Sequence, residues 1–198
     1  ARFQGYLYVS QAFHPELSNV QNYIFRSQPD NFFAFDWEND FVIMPEQPKG
    51  MISFNSRLYV WGENTLYKID PFSLIIEDEY TGISILNKES VVKTEYGLFF
   101  LDKNNIKLHD GNKPNAIGDG ILESASKSLI YESVANGTDG YTILQDGYRE
   151  LAQQTLDNGD TPSVAYLAKK NSFIVLLSNK EKKGVSFTYN ISQQRWDM

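Results

Sequence analysis

The sequence predicts a mainly β protein: a β-propeller, or a partial β-propeller, of about four repeated antiparallel blades with a small helical insert. Three observations predict this fold class. Tyr, Phe and Trp make up 14% of the chain, and such residues favour pleated, half-buried sheets. A strand–turn–strand pattern recurs about every 40 to 50 residues, which is typical of propeller blades. Residues 119–160 depart from this pattern and carry helical spacing instead.

The clearest repeat aligns residues 57–70 with residues 97–110 without a gap. Each copy contains an apolar strand, a turn rich in Gly or Asn, and a second strand with alternating faces. Because successive side chains of a strand point to opposite faces, one of Phe99 and Phe100 is expected to be deeply buried. The same expectation holds for Tyr59 and Val60.

Two further copies complete the set of about four units. The first pairs residues 3–9 with residues 22–27 across a longer loop, and the last pairs residues 171–177 with residues 185–190 across a Lys-rich turn. A generic antiparallel meander in a sandwich or barrel is the alternative to a propeller. The predicted organisation places blades in residues 1–118 and a further blade in residues 161–198, in a chain expected to belong to a longer polypeptide.

Residues 119–160 are predicted to form an acidic, partly helical insert. They carry 8 acidic and 2 basic residues, whereas residues 161–198 carry 2 acidic and 6 basic residues. Helical spacing predicts two helices. The first would carry Ile121, Leu122, Ala125, Leu129, Ile130 and Val134, and the second Tyr148, Leu151, Ala152, Thr155 and Leu156.

Few residues match a known catalytic or metal-binding pattern. The chain is therefore predicted not to be an enzyme, with no catalytic, cofactor or metal site. Cys is absent, and the net charge of −7 disfavours general binding to nucleic acids. His109 lies in a strand and is interpreted as structural. Residues 77–79 offer paired carboxylates for a glycosidase, but a solvated strand end is the preferred interpretation. Trp37 and Trp61 could serve as sugar-stacking platforms, but packing in the core or at a blade interface is the preferred interpretation.

Four stretches carry a resemblance to a known family: residues 2–9 with 22–27, residues 52–69, residues 92–111, and residues 187–190 with Arg195 and Trp196. Together they resemble the β-propeller tail nozzle and tail hub proteins of short-tailed bacteriophages, including the packaged-DNA stabilisation type. The resemblance covers most of the chain outside residues 119–160, and that insert departs from the family pattern.

The resemblance implies a structural virion protein of the phage tail, assembled in the bacterial host cytoplasm. It implies a ring of identical copies, usually a hexamer, that contacts neighbouring tail or portal proteins and takes no small-molecule substrate. The channel of that ring would retain the packaged genome and let DNA pass at ejection. A channel lined with carboxylates repels phosphates. The candidate channel-facing acids of the insert are Glu123, Glu132, Asp139, Asp146 and Glu150.

The sequence is also compatible with a second functional class, a surface binding module. A β-propeller can also be a module that binds carbohydrate or protein at a cell or virion surface. Glycan binding that depends on Trp37 or Trp61 would favour that class, and turnover of a polysaccharide would favour a glycosidase.

Overall fold

The computed structural model describes residues 1–12, 20–119, 121, 129–132, 140–143 and 147–197, with the backbone alone for 129–132 and 140–143. Along these residues follow four antiparallel sheets of four or five strands each, here called blades 1 to 4, with a separate two-stranded sheet between the third and the fourth. In each of them the strands pair in sequence order, as in an up-and-down meander. The predicted fold class, mainly β with repeated four-stranded antiparallel sheets and a short helix, is confirmed.

The chain divides into two compact units, and the first contains blades 1 and 2 (Ala1–Lys88 with Gly111–Lys113). Blade 1 has a fourth strand in two pieces, β4 and β5, which both pair with β3. The strands of blade 1 are β1 Arg2–Phe3, β2 Tyr6–Ser10, β3 Tyr23–Gln28, β4 Asn31–Phe35 and β5 Phe41–Ile43. Those of blade 2 are β6 Gly50–Phe54, β7 Arg57–Trp61, β8 Thr65–Ile69 and β9 Ile76–Thr81.

Short turns with positive φ close the first hairpin of each of these blades. Gln4 and Gly5 have φ of 42° and 81°, and Asn55 and Ser56 have φ of 44° and 58°. Two successive residues with positive φ match the right-handed twist of the flanking strands, so they allow a two-residue hairpin loop.

A core cluster fills the space between blades 1 and 2. Ile24 of blade 1 and Val60 of blade 2 are both fully buried in it. The other buried members are Tyr8, Met44, Leu58, Tyr67 and Ile69. The hydroxyl of Tyr8 donates to the carbonyl of Pro71 at 2.8 Å, which satisfies its polar atom inside the apolar cluster.

The second unit (Glu89–Asp110 with Pro114–Met198) contains blades 3 and 4. The strands of blade 3 are β10 Val91–Thr94, β11 Gly97–Leu101, β12 Ile106–His109 and β13 Pro114–Ala116. After the hairpin β14 Leu129–Glu132 and β15 Gly140–Ile143 comes the helix α1 Tyr148–Asp157. The strands of blade 4 are β16 Ser163–Leu167, β17 Ser172–Ser178, β18 Gly184–Asn190 and β19 Arg195–Asp197.

Aromatic stacking joins blades 3 and 4. The rings of Phe99 and Phe173 are stacked with centroids 3.8 Å apart. Trp196 packs on Tyr189 at 5.0 Å, and its indole N–H donates to the carbonyl of Ile117 at 2.6 Å. The two sheets are therefore held face to face by stacked rings and by the hydrogen bond of the Trp196 indole.

The central strand of blade 3 is buried more completely than the alternating pattern predicts. All five residues of β11 are buried, and Phe99 and Phe100 are both fully inaccessible to solvent. Tyr59 and Val60 of β7 are likewise both buried. Both faces of each strand are thus excluded from water, which agrees with their continuous apolar runs.

Helix α1 confirms the second predicted helix of the insert. Its residues Tyr148, Leu151 and Thr155 are buried, and α1 packs against β17. The Tyr148 hydroxyl donates to the carbonyl of Asp102 at 2.8 Å, and the Thr155 hydroxyl accepts from the backbone N–H of Ser178 at 2.8 Å. The helix is therefore fastened to the C-terminal ends of the second strands of blades 3 and 4, at Asp102 directly after β11 and at Ser178, the last residue of β17.

The first predicted helix of the insert is wrong where the structure describes it. Residues 129–132 form strand β14, paired with β15 in register from Leu129 and Ile143 to Glu132 and Gly140. Strand pairing supplies backbone hydrogen bonds that override the weak helical spacing of a short apolar run. Residues 122–128 and 133–139 lie outside the described residues, and the boundaries predicted at 118/119 and 160/161 stay predictions.

Candidate functional site

An exposed group of aromatic and polar side chains lies at one end of blades 3 and 4. It contains Glu95, Tyr96, Tyr166, Asn171 and Ser192, and is called here the Tyr96–Tyr166 patch. Tyr96 is 41% exposed, and its ring meets that of Tyr166 edge to face at 6.4 Å. The Tyr166 hydroxyl donates to Glu95 Oε1 at 2.7 Å, and Asn171 Nδ2 donates to Ser192 Oγ at 2.7 Å.

Tight turns hold these side chains in place. Glu95 and Tyr96 form the turn between β10 and β11, where the Thr94 hydroxyl accepts from the Tyr96 backbone N–H and donates to the Gly97 carbonyl. Asn171 adopts a left-handed conformation with φ of 49° before β17, a conformation that Asn tolerates better than most residues. The patch is therefore displayed on a rigid backbone frame.

The Tyr166 ring also packs against the core. It packs on the buried Phe173 with centroids 5.4 Å apart, so one side of the ring belongs to the core while its hydroxyl reaches the surface. A tyrosine with an apolar body in the core and a polar tip at the surface is common at binding interfaces.

The Tyr166–Glu95 hydrogen bond changes the ionisation of both groups. It is the largest cause that raises the pKa of Tyr166, to about 12, and that lowers the pKa of Glu95 below 4.5. A neutral phenol donor stabilises the carboxylate, and the carboxylate charge disfavours a phenolate. The stabilisation from this pair is therefore fully present between pH 4.5 and pH 10.0, and it is lost as the pH falls through the lowered pKa of Glu95 or rises through the raised pKa of Tyr166.

We expect Glu95→Gln to lower the pKa of Tyr166 from about 12 towards its ordinary value of 10.0. The substitution removes the negative charge that opposes the phenolate. Nuclear magnetic resonance titration of ring-labelled tyrosine measures the change. The control is Glu181→Gln, which removes an exposed glutamate that pairs with Lys183 in the same unit. An unchanged Tyr166 titration in Glu95→Gln would contradict the described pair.

The candidate channel-facing acids of the insert are only partly covered by the structure. Glu123, Asp139 and Asp146 lie outside the described residues. Glu132 lies on β14, where only the backbone is described. Glu150 is exposed in the first turn of α1. The channel-facing role of this set of acids therefore stays a prediction.

The two tryptophans considered as sugar platforms have different surroundings. Trp61 is fully buried, so the hypothesis that it stacks on a sugar is wrong, because no face of its ring reaches solvent. Trp37 is half-buried and packs on Phe25 at 4.5 Å and on Phe35 at 5.5 Å.

The other residues considered for catalysis are either buried in the core or paired with basic side chains. His109 is fully buried on β12, as expected for a structural histidine. Glu77 pairs with Arg57 at 2.6 Å, and Asp78 pairs with Lys68 at 2.9 Å, both on the exposed strand β9. These carboxylates are thus engaged with basic side chains, in keeping with a solvated strand.

Sequence reasoning missed the patch. Glu95 and Tyr96 fall within the stretch of family resemblance at residues 92–111 but in no predicted site, and Tyr166 is 71 residues away from Glu95 along the chain. The one local sequence feature that could have indicated the patch is a large aromatic residue in a turn, where Gly, Asn and Asp are usual. Among the described residues, no helix is long and apolar enough to cross a membrane, and no three metal-type ligands cluster.

Comparison with solved structures shows the fold. The chain is similar to the extracellular domain of a protein described as a one-component system, BT4673 from B. thetaiotaomicron. The identity is 14% and the TM-score is 0.53, and the match covers 98% of this chain. The match covers 20% of the other chain, so this chain spans about one fifth of its length.

A weaker likeness is to the N-terminal domain of Nup159, at 12% identity and a TM-score of 0.39. It covers 85% of this chain and 53% of that one. No family profile matches the sequence, and no curated protein matches it.

Proposed function

We propose that this chain is a non-catalytic, propeller-type module that binds carbohydrate, or alternatively protein, at a cell or virion surface. The observation that carries the proposal is the Tyr96–Tyr166 patch, which combines an exposed aromatic ring with an ionised carboxylate and an amide. The likeness to an extracellular domain supports it, because such domains meet ligands outside the cell.

The chemistry of the patch suits a sugar ring. The exposed face of Tyr96 offers an apolar platform for the C–H groups of a pyranose, as aromatic rings do for many amphipathic ligands. The carboxylate of Glu95 accepts strong hydrogen bonds from hydroxyl groups, because charged acceptors bind more tightly than neutral ones. The amide of Asn171 can both donate and accept, so it fixes the orientation of a bound hydroxyl.

Binding to an array of bacterial and animal cell-surface glycans tests this proposal. We expect Tyr96→Ala to weaken binding to any recognised glycan at least about tenfold, because it removes the stacking platform. The matched control is Phe33→Ala, which removes an aromatic side chain that is 98% exposed on blade 1. Glycan binding that survives both Tyr96→Ala and Glu95→Gln would contradict the proposed site, and binding only to proteins would favour the protein-ligand form.

A second candidate is a tail nozzle or hub component of a short-tailed phage. The observation that favours it is that the four stretches of resemblance fall largely on paired strands of the four blades: β1–β3, β6–β8, β10–β12, and β18 with β19. Ring-shaped particles with negligible affinity for duplex DNA would favour this candidate, whereas tight, salt-sensitive DNA binding would count against it.

A further inference from the structure

The face of blade 1 that points away from the core cluster is rich in aromatic residues. Ile24 lies in the core cluster, so its strand neighbours Tyr23 and Phe25 point to the opposite face. Their rings stack at 5.7 Å, and Tyr23 also packs on Phe41 at 5.1 Å. Ile43, opposite Tyr23 in the sheet, is 54% exposed. Phe25 is fully buried against Trp37 and Phe41, so the surface itself consists of Tyr23, Trp37, Phe41 and Ile43, called here the aromatic face.

Acidic residues border the aromatic face. The loop that joins β4 to β5 carries Asp36, Glu38 and Asp40 around Trp37. The Asn39 side chain and backbone N–H groups donate to Asp36, which lowers the pKa of this carboxyl and keeps it ionised at neutral pH. Asp40 is paired with Arg26, so Asp36 and Glu38 supply the negative charge beside Trp37.

Blade 4 presents a smaller apolar surface on the face that points away from blade 3. Phe173 stacks on Phe99 of blade 3, so Ile174 points to the other side of the sheet. Ala165 is paired directly with Ile174, and Leu176, on the same face as Ile174, is 48% exposed. Ala165, Ile174 and Leu176 are called here the aliphatic face.

Basic residues border the aliphatic face. The turns at the two ends of β17 carry five lysines, and residues 163–197 hold 6 bases against 2 acids. Both acids pair with a nearby base: Glu181 lies 2.9 Å from Lys183, and Asp197 lies 3.0 Å from Arg195. The five turn lysines are Lys169, Lys170, Lys180, Lys182 and Lys183.

We propose that the aromatic face of one copy of this chain packs against the aliphatic face of a second copy. Each face would bury exposed apolar side chains against the other. Opposite charges would meet at the rim, which favours docking. Two aromatic faces, or two aliphatic faces, would instead bring like charges together, which is unfavourable. This contact is independent of the Tyr96–Tyr166 patch and goes beyond the proposed function.

The two surfaces in this contact are different, so the interface is heterologous. A heterologous contact leaves one face of each kind unused in a dimer, and further copies add to it as a closed ring or an open fibre. Association should therefore depend on concentration and salt. We expect the apparent dissociation constant to rise at least about tenfold between about 0.05 M and 0.5 M salt.

Cysteine cross-linking tests the contact directly, because the natural chain has no Cys. One chain carries Ile43→Cys, and a second chain with a tag of different mass carries Leu176→Cys. Mild oxidation of the mixture should give the mixed disulfide dimer in excess over both homodimers. The control replaces Ile43→Cys by Ile75→Cys, an exposed isoleucine on blade 2 at 62% exposure, and should give little mixed dimer.

Sedimentation velocity on the chain without cysteines supplies the second measurement. Glu38→Lys should weaken self-association about tenfold, whereas Glu79→Lys on the exposed strand β9 should not. A monomer at all accessible concentrations would overturn the proposal. So would homodimers of the Ile43→Cys chain that form as readily as the mixed dimer.

Discussion

Replacing Phe99 with alanine will lower the free energy of unfolding by about 4 kcal/mol, since truncating a fully buried phenylalanine typically costs about 3–5 kcal/mol. The side chain is inaccessible to solvent, and its ring stacks on Phe173 at 3.8 Å between blades 3 and 4. Truncation removes this buried apolar surface and leaves a cavity, because neighbouring strands cannot collapse fully into the space. Urea denaturation followed by circular dichroism measures the change.

The matched control for this substitution is Phe33→Ala. The Phe33 side chain is 98% exposed, so its truncation should change the free energy of unfolding by less than about 0.5 kcal/mol. Equal effects of the two substitutions would show that β11 is not the central strand of a packed blade.

Gly97→Ala will be the second severe substitution, with an expected loss of about 3 kcal/mol of unfolding free energy. Gly97 has φ of +139°, a conformation that residues with a side chain rarely adopt. A Cβ at this position would also overlap the backbone carbonyl of His109, which is held by strand pairing. Neither the backbone strain nor the clash can be relieved by a flexible side chain. Urea denaturation of the variant provides the measurement.

Gly82→Ala separates the effect of backbone strain from the effect of steric overlap. Gly82 also has a positive φ, of +77°, but apart from its chain neighbours no atom of the described residues lies within 4 Å of its would-be Cβ. We therefore expect a loss of only about 1 kcal/mol, from backbone strain alone. If Gly97→Ala cost no more than Gly82→Ala, the close approach of β11 and β12 at this point would be contradicted.

The sequence alone was enough to predict the blades because their determinants are local. Residues 57–70 and 97–110 carry the same run of apolar residues, turn residues and alternating residues, and each run forms the second and third strands of a blade. The helix at Tyr148–Asp157 was also predictable, because its apolar residues recur at helical spacing over ten residues.

Predictions failed where the local pattern was short or ambiguous. Residues 129–132 fit a helical spacing in the sequence, but the partner strand at 140–143 makes them a strand. A run of only three apolar residues has no helical or strand identity of its own, and its state is decided by which backbone groups can pair. The acidic residues of the insert that lie outside the described ranges have no assigned position.

The sequence by itself determined the strand pattern, the turns and the charge imbalance between the two ends of the chain. Only the tertiary structure decided which faces of the strands are covered, and so whether Trp61 is a platform or a core residue. It also decided that Glu95 meets Tyr166 across 71 positions of chain. The physical reason is that turns and periodicity depend on neighbouring residues, whereas burial and surface patches depend on which sheets stack face to face.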